Sequence, residues 1–301
     1  MAESGDPSVG CIIVHHNNFP SVLGTIFNIL DSGIGPRNIV VVDNSESPEI
    51  TKSLGESIPS GVVLLSIPNM GYANAVNSGV KLFTAGHRQR VKFLLIATHE
   101  TRCEGETVAR LVGELETHPD IGVVGPLLIN AQGPEGVVFS AGGGFRGPLG
   151  LPFHIGARQP VEIFRGSRGP SRVQWLDGAF CIYRAAILRE HKLSEDYFLY
   201  FEETDYHAHL RSLGWQVSCI HDVSAYAGSS GIPPFFLGKG SRIYYARHGS
   251  RVQAVLSPAM LMAKHWLSRM ASPGRRSVAA LLLKGYNSAG RVLETATRRV
   301  E

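Results

Sequence analysis

Short continuous apolar runs alternate with stretches of helical periodicity through the first third of the chain. Residues 9–14 (VGCIIV) predict a buried strand. Residues 19–31 (FPSVLGTIFNILD) put Leu23, Ile26, Phe27 and Leu30 on one helical face, with Gly33 placed to end it. Residues 38–42 (NIVVV) predict a second strand, 48–57 a short helix, and 62–67 (VVLLSI) a third strand. Residues 72–85 carry Ala73, Val76, Val80 and Phe83 on one face and stop at Gly86. A fourth strand is predicted at 92–97 (KFLLIA) and a helix at 106–117. Continuous apolar strands separated by helices imply a parallel sheet covered on both faces.

The pattern then changes. Residues 121–129 (IGVVGPLLI) and 137–141 predict strands, and 142–170 is rich in Gly and Pro and predicts a loop. A strand at 179–183 (AFCIY) leads into a helix at 184–192. A helix at 202–213 precedes the strand QVSCI, and residues 236–301 read as a helical appendix. The expected architecture is a mostly parallel mixed sheet with helices on both sides over 1–235, followed by a helical region at 236–301.

In open α/β sheets, ligands bind beyond the carboxyl ends of the strands. The first four strands exit into His15-His16-Asn17-Asn18, Asp43-Asn44-Ser45, Pro68-Asn69-Met70-Gly71-Tyr72 and Thr98-His99-Glu100-Thr101. Turn and capping chemistry explains any one of these exits. Together they set two carboxylates, several amides and a glycine on one rim. The first exit has no glycine, against a dinucleotide-binding dehydrogenase and against a sugar nucleotidyltransferase, which also wants a Gly-rich loop there. No Walker loop and no G-x-S-x-G elbow occurs.

Composition adds little to this. The chain has 301 residues, 44% hydrophobic and 18% charged, with a net charge of +4. That composition supports a large core and gives no reason to expect nucleic acid as a partner. Cys11, Cys103, Cys181 and Cys219 lack metal spacing and read as buried small hydrophobes of a reducing compartment. The N-terminus is polar and acidic, unlike a signal peptide, and no apolar run reaches the roughly 18 residues of a spanning helix. The expected location is cytoplasmic, soluble or peripheral on the inner face of the plasma membrane.

Read in order, CIIVHHNN, IVVVDNSES, IPNMGYANAVNSGV, LLIATHETRCEGETVARLVGELETHPDIGVVGPLL, VQWLDGAFCIYRAAIL and YFLYFEETDYHAHLRSLGW resemble the family-2 inverting glycosyltransferases. The resemblance is nearest to the rhamnosyltransferase-like branch and covers residues 9 to about 230. It implies a GT-A fold and a nucleoside-diphosphate sugar donor, dTDP- or UDP-linked, with rhamnose the favoured sugar. The acceptor would be a glycan of the cell envelope, a lipid-linked saccharide or a natural product.

The same resemblance assigns roles. His15, Asn17, Asp43, Asn69, Gly71, Asn74, His99 and Glu100 fall on the donor side. Gly71 would let backbone approach the nucleotide, and Glu100 sits where an acid holds a divalent cation on the diphosphate. Glu203, second of the pair Glu202-Glu203, takes the place of the catalytic base. Asp177 accompanies it, while Trp175 and Glu202 fall on the acceptor side. His99-Glu100 replaces the usual acid motif and Ala227 a late histidine, so the use of magnesium or manganese is left open. A neutral His99 would ligate metal; a cationic one would face phosphate. Arg211, on the helix of YFEETD, could reach phosphate, but is expected rather to pair with a neighbouring acid. These departures also keep a rival reading open, a nucleotide-sugar binding or scaffold protein with a degenerate site.

The basic residues are concentrated late. From residue 255 onward, Lys264, Arg269, Arg275, Arg276, Lys284, Arg291, Arg298 and Arg299 face only Glu294 and Glu301. Apolar positions within 255–270 and 276–298 keep helical spacing. Packing on the sheet domain, a homodimer contact or an anionic membrane surface would each use such helices.

Overall fold

The computed structural model describes residues 8–132, 134, 136–167, 169–228, 231–269 and 275–298. The N-terminal stretch expected to be no signal peptide, and Arg299 and Glu301 of the basic tail, lie outside the described residues. So do the side chains of Arg275, Arg276 and Arg298.

The strands are β1 (Val9–His15), β2 (Ile39–Asp43), β3 (Val63–Ser66), β4 (Phe93–Thr98), β5 (Arg102–Cys103), β6 (Ile121–Asn130), β7 (Val138–Ser140), β8 (Gly143–Arg146), β9 (Leu151–His154), β10 (Pro170–Arg172), β11 (Phe180–Arg184) and β12 (Gln216–Ala227). The helices are α1 (Phe19–Asp31), α2 (Pro48–Ser57), α3 (Tyr72–Lys81), α4 (Thr107–Thr117), α5 (Ala185–Glu190), α6 (Glu202–Ser212), α7 (Pro234–His248), α8 (Arg251–Ser268) and α9 (Arg275–Arg298).

The main sheet runs β10-β12-β6-β11-β4-β1-β2-β3, with β5 on β12 and β7 on β6. β3, β2, β1 and β4 are mutually parallel, and β12 is parallel to β6. β11 is antiparallel to both β4 and β6, which makes the sheet mixed. One core lies on each face. Cys11, Ile13, Val41 and Leu95 point into the layer with α1 and α4, whereas Ile12, Val14, Val40 and Leu94 point toward α3 and α5. That alternation explains why the strands read as continuous apolar runs. All four cysteines are free and buried.

Two expectations need correction. The stretch 142–170 holds the hairpin β8–β9, with Gly143 opposite His154 and Arg146 opposite Leu151, and it ends on β10. Residues after Lys81 leave the helix early, so α3 is shorter than its apolar pattern. Among the described residues, the region from residue 234 is built of helices α7, α8 and α9, as expected. α7 and α9 pack closely enough that a Cβ on Gly285 would sit 1.9 Å from the Phe235 carbonyl oxygen.

Candidate active site

Strand order decides what meets at the carboxyl edge. β11 arrives antiparallel to β4 with Phe180 opposite Ala97. Asp177-Gly178-Ala179, just before β11, therefore lies beside the turn that leaves β4. The Thr98 amide donates to the Ala179 carbonyl at 3.0 Å, and the Thr101 hydroxyl donates to the same oxygen at 3.1 Å. Tyr72, at the start of α3, closes the arrangement. Its hydroxyl donates to the Gly178 carbonyl at 2.6 Å and its amide to the Phe198 carbonyl at 3.0 Å.

These segments surround a cavity of about 480 Å³. Asn69, Gly71, His99, Glu100, Asp177, Glu202 and Glu203 all line it. The acid after the fourth strand and the acid pair of α6 thus open into one space. Tyr72, Phe139, Phe198, Tyr200 and Phe236 add an aromatic part to the lining. Phe198 and Phe236 stack at 5.3 Å with planes 10° apart.

α6 presents its acids on a strained entry. Tyr200 and Phe201 both have positive φ, 69° and 75°, which bulky side chains rarely adopt. Phe201 offers no side-chain cap, so the first-turn amides of α6 lie beside Glu202 and Glu203. Two anchors hold the entry. The Asp205 carboxylate accepts from the Tyr197 hydroxyl at 3.0 Å and from His248 Nε2 at 2.7 Å. His207, fully buried, accepts the Leu176 amide on Nδ1 at 3.2 Å and contacts the Tyr183 hydroxyl through Nε2 at 2.9 Å. Burial, followed by the charge of Arg211, lowers His207 to about 3, so the ring is a neutral strut between α6 and the Asp177 segment.

Electrostatics separate the carboxylates. Glu202 is 3% exposed and its Oε2 has no hydrogen-bond partner. Burial pushes it up to about 7; the amides of Glu202 and Tyr200 oppose this and the charge of Asp177 adds to it. Glu203, half-buried at the wall, is raised by burial first, then by Glu202 and Asp177. At neutral pH such a pair shares protons rather than carrying two full charges. Glu100 stands exposed at the mouth and is raised by partial burial. His99 is lowered to about 4 by burial and then by His15, so of its two readings the neutral imidazole applies.

A stability prediction follows from Glu202. Its folded pKa exceeds the ordinary carboxylate value, so the folded protein holds a proton that the unfolded chain releases. Stability is complete below about pH 4.5 and falls as pH rises toward 7, by on the order of 3 kcal/mol. Glu202→Gln should flatten that decline in urea melts between pH 4.5 and 8. A variant that keeps the wild-type slope would count against the buried, unpaired carboxyl.

Several residues assigned to the donor side lie elsewhere. His15 and Asp43 are fully buried behind the wall, joined by His15 Nδ1 donating to Asp43 Oδ1 at 2.9 Å. Burial pushes the Asp43 carboxyl up, but hydrogen bonds from His15, Ser45 and Thr51 outweigh it and hold it well below the usual range. Its neighbours His16 and Asn44 face the cavity instead. Asn17, at φ 52°, donates its amide to Ser45 Oγ at 2.8 Å, and Asn74 donates to Glu195 at 3.0 Å. Neither lines the cavity.

Trp175 is also displaced from its expected role. It is 5% exposed, packed under Gly143 and edge-on to His154 at 4.9 Å, so neither ring face is open to a sugar. Arg211 makes no ion pair among the described residues, and its Nε is buried without a partner. Gly71 does line the cavity, and a Cβ there would run into the Phe198 carbonyl.

Among the described residues, no group of three His, Cys, Asp or Glu side chains is arranged to hold a metal. Glu100 offers one carboxylate at the mouth, with no hydrogen bond or ion pair to another described residue. That donor set fits a cation carried on substrate phosphates, not one caged by protein.

Among solved structures, the chain is similar to GalNAc-T7 with UDP, GalNAc and Mn2+. The TM-score is 0.62 at 14% identity, over 92% of this chain and 55% of that one. It therefore spans about half the length of that protein. S. aureus TarS is similar at TM-score 0.51 and 13% identity, over 89% of this chain and 44% of that one. S. aureus TarS 1-349 in complex with UDP gives 0.50 and 15%, over 89% and 73%. No curated protein matches the chain. At such identities the likeness is one of fold, with different side chains on a shared frame. The chain has the GT-A fold of these glycosyltransferases, and its residues 11–139 match the family model Glycosyl transferase family 2.

Proposed function

We propose that this protein is an inverting glycosyltransferase that moves a sugar from a nucleoside diphosphate, dTDP or UDP, to an acceptor hydroxyl. The observation that carries the reading is the shared cavity: Glu100 at its mouth, Glu202 and Glu203 on its wall, and Asp177 between the segments. Glu203 is the base. Its carboxylate takes the hydroxyl proton while the acceptor oxygen attacks the anomeric carbon opposite the diphosphate. A single displacement inverts that centre and needs no covalent enzyme intermediate.

Asp177 accepts the Ala179 amide at 3.0 Å, which fixes its carboxylate beside the acid pair. Asn44 and Asn69, linked side chain to side chain at 3.2 Å, form the donor edge together with His16. A divalent cation arriving with the diphosphate would be held by Glu100 and would supply charge neutralisation of the leaving group. The aromatic wall gives the acceptor an apolar or sugar-stacking surface. Rhamnose is the favoured sugar, on the sequence resemblance.

The test is transfer from a panel of nucleotide sugars to saccharide, lipid-linked and natural-product acceptors, followed as a function of pH. Because burial raises the base, kcat/KM should climb with pH through a limb well above the usual carboxylate range, about tenfold per unit below it. Absence of that limb removes the Glu202-Glu203 pair from the reaction. A second reading, nucleotide-sugar binding without turnover, is favoured by Ala227 in place of the late histidine and by the lack, among the described residues, of a three-ligand group that could hold a metal. Nucleotide binding without transfer to any acceptor would select it.

A further inference from the structure

We propose that the outward face of α8 docks the protein on an anionic lipid bilayer. Val252, Val255, Leu256, Met260 and Leu267 are between 47% and 62% exposed. Their spacing of three and four residues lines them along one side of the helix, with exposed Ala259 and Ala263 filling the gaps. The opposite side is committed to the protein. Ser257, Pro258 and Leu261 are buried there, and the Ser257 hydroxyl donates to the Leu149 carbonyl at 2.6 Å. Gln253 donates to the Pro148 carbonyl at 3.1 Å, so the helix is pinned to the turn of the β8–β9 hairpin with its apolar stripe outward.

Charge identifies the occupant. At about 100° per residue, Lys264 falls on one flank of the stripe and Arg251 and Arg269 on the other. α8 holds no Asp or Glu, and neither does α9 before Glu294. An apolar stripe edged by cations suits the boundary between acyl chains and anionic headgroups. A second copy fits worse. A two-fold contact presents the same patch from both sides, which would press cationic flank on cationic flank. No helix among the described residues is long and apolar enough to cross a membrane, so α8 would lie in the plane of the surface.

Vesicle sedimentation of the full chain tests this without any sugar donor, and so independently of the catalytic reading. Binding to phosphatidylcholine vesicles containing phosphatidylglycerol should exceed binding to phosphatidylcholine alone by about tenfold or more, and should weaken as salt rises. Lys264→Gln should cost about fivefold on the anionic vesicles only. Val255→Glu combined with Met260→Glu should abolish binding to both while leaving the melting temperature unchanged, since both positions are exposed. If that double variant does not fold, the wild-type salt series and Lys264→Gln decide. Equal binding to both lipids, or none at low salt, overturns the proposal. So does a dimer in light scattering that the double variant dissociates while vesicles are ignored.

Discussion

Glu203→Gln should lower kcat by about 10²–10⁴-fold while leaving nucleotide-sugar affinity within about twofold. The substitution is nearly isosteric and removes only the capacity to accept a proton. Glu203 sits at the second residue of α6, and the backbone there is fixed by Asp205 and His207 rather than by the Glu203 side chain. The cavity shape should therefore survive. Single-turnover rates with saturating donor and acceptor give kcat, and calorimetry with nucleotide diphosphate gives binding. The pH profile supplies a second reading. In the wild type the rising limb belongs to a buried pair that also feels Asp177. In Glu203→Gln the pair is broken, so whatever activity is left should lose that limb. Glu202→Gln separates the two acids: a larger loss there than at Glu203 would move the base by one residue. Wild-type turnover in Glu203→Gln would end the assignment altogether.

The sequence was most legible where local pattern and burial agree. Val9–His15, Ile39–Asp43 and Phe93–Thr98 are short, apolar and bounded by turns, and each strand lies within a residue or two of its predicted span. The convergence of the strand exits followed from the parallel order. What failed depended on partners distant in the chain. Trp175 read as an acceptor-side residue because nothing local says that Gly143 covers it; a Cβ there would sit 1.9 Å from Trp175 Cε2. The glycines at 142–144 read as loop for the same reason, although they enter a hairpin.

Asp43 and Asn44 are adjacent, yet one carboxylate is consumed by His15, Ser45 and Thr51 while the next side chain reaches the cavity. A strand end turns successive side chains to opposite sides, so a shift of one position changes scaffold into wall. Phe198 and Phe236 carried no signal. They meet only because α7 packs beside the approach to α6. Tyr72 was visible as a strand exit, but its bridging of Gly178 and Phe198 needed the tertiary structure.

Gly71→Ala should lower stability by on the order of 3 kcal/mol and impair donor binding at the same time. Gly71 caps α3 with φ 95° and ψ 175°, a region that only glycine occupies without strain. That conformation alone costs an alanine about 1–3 kcal/mol. The added Cβ would also stand 2.1 Å from the Phe198 carbonyl oxygen and 2.8 Å from its Cα. Both are backbone atoms, so no rotamer change relieves the overlap. Either the Asn69–Tyr72 turn or the Phe198 loop must move. The same carbonyl accepts the Tyr72 amide, and Tyr72 holds Gly178, so movement there loosens the wall between the donor edge and the acid pair. Thermal melts should show a drop of roughly 5–10 °C. Gly24→Ala serves as the control. It lies within α1 with nothing closer than 4 Å to its would-be Cβ, and alanine there should be neutral or stabilising. If the two variants melted together, with donor affinity unchanged in both, the packing of Gly71 on Phe198 would not be what shapes this cavity.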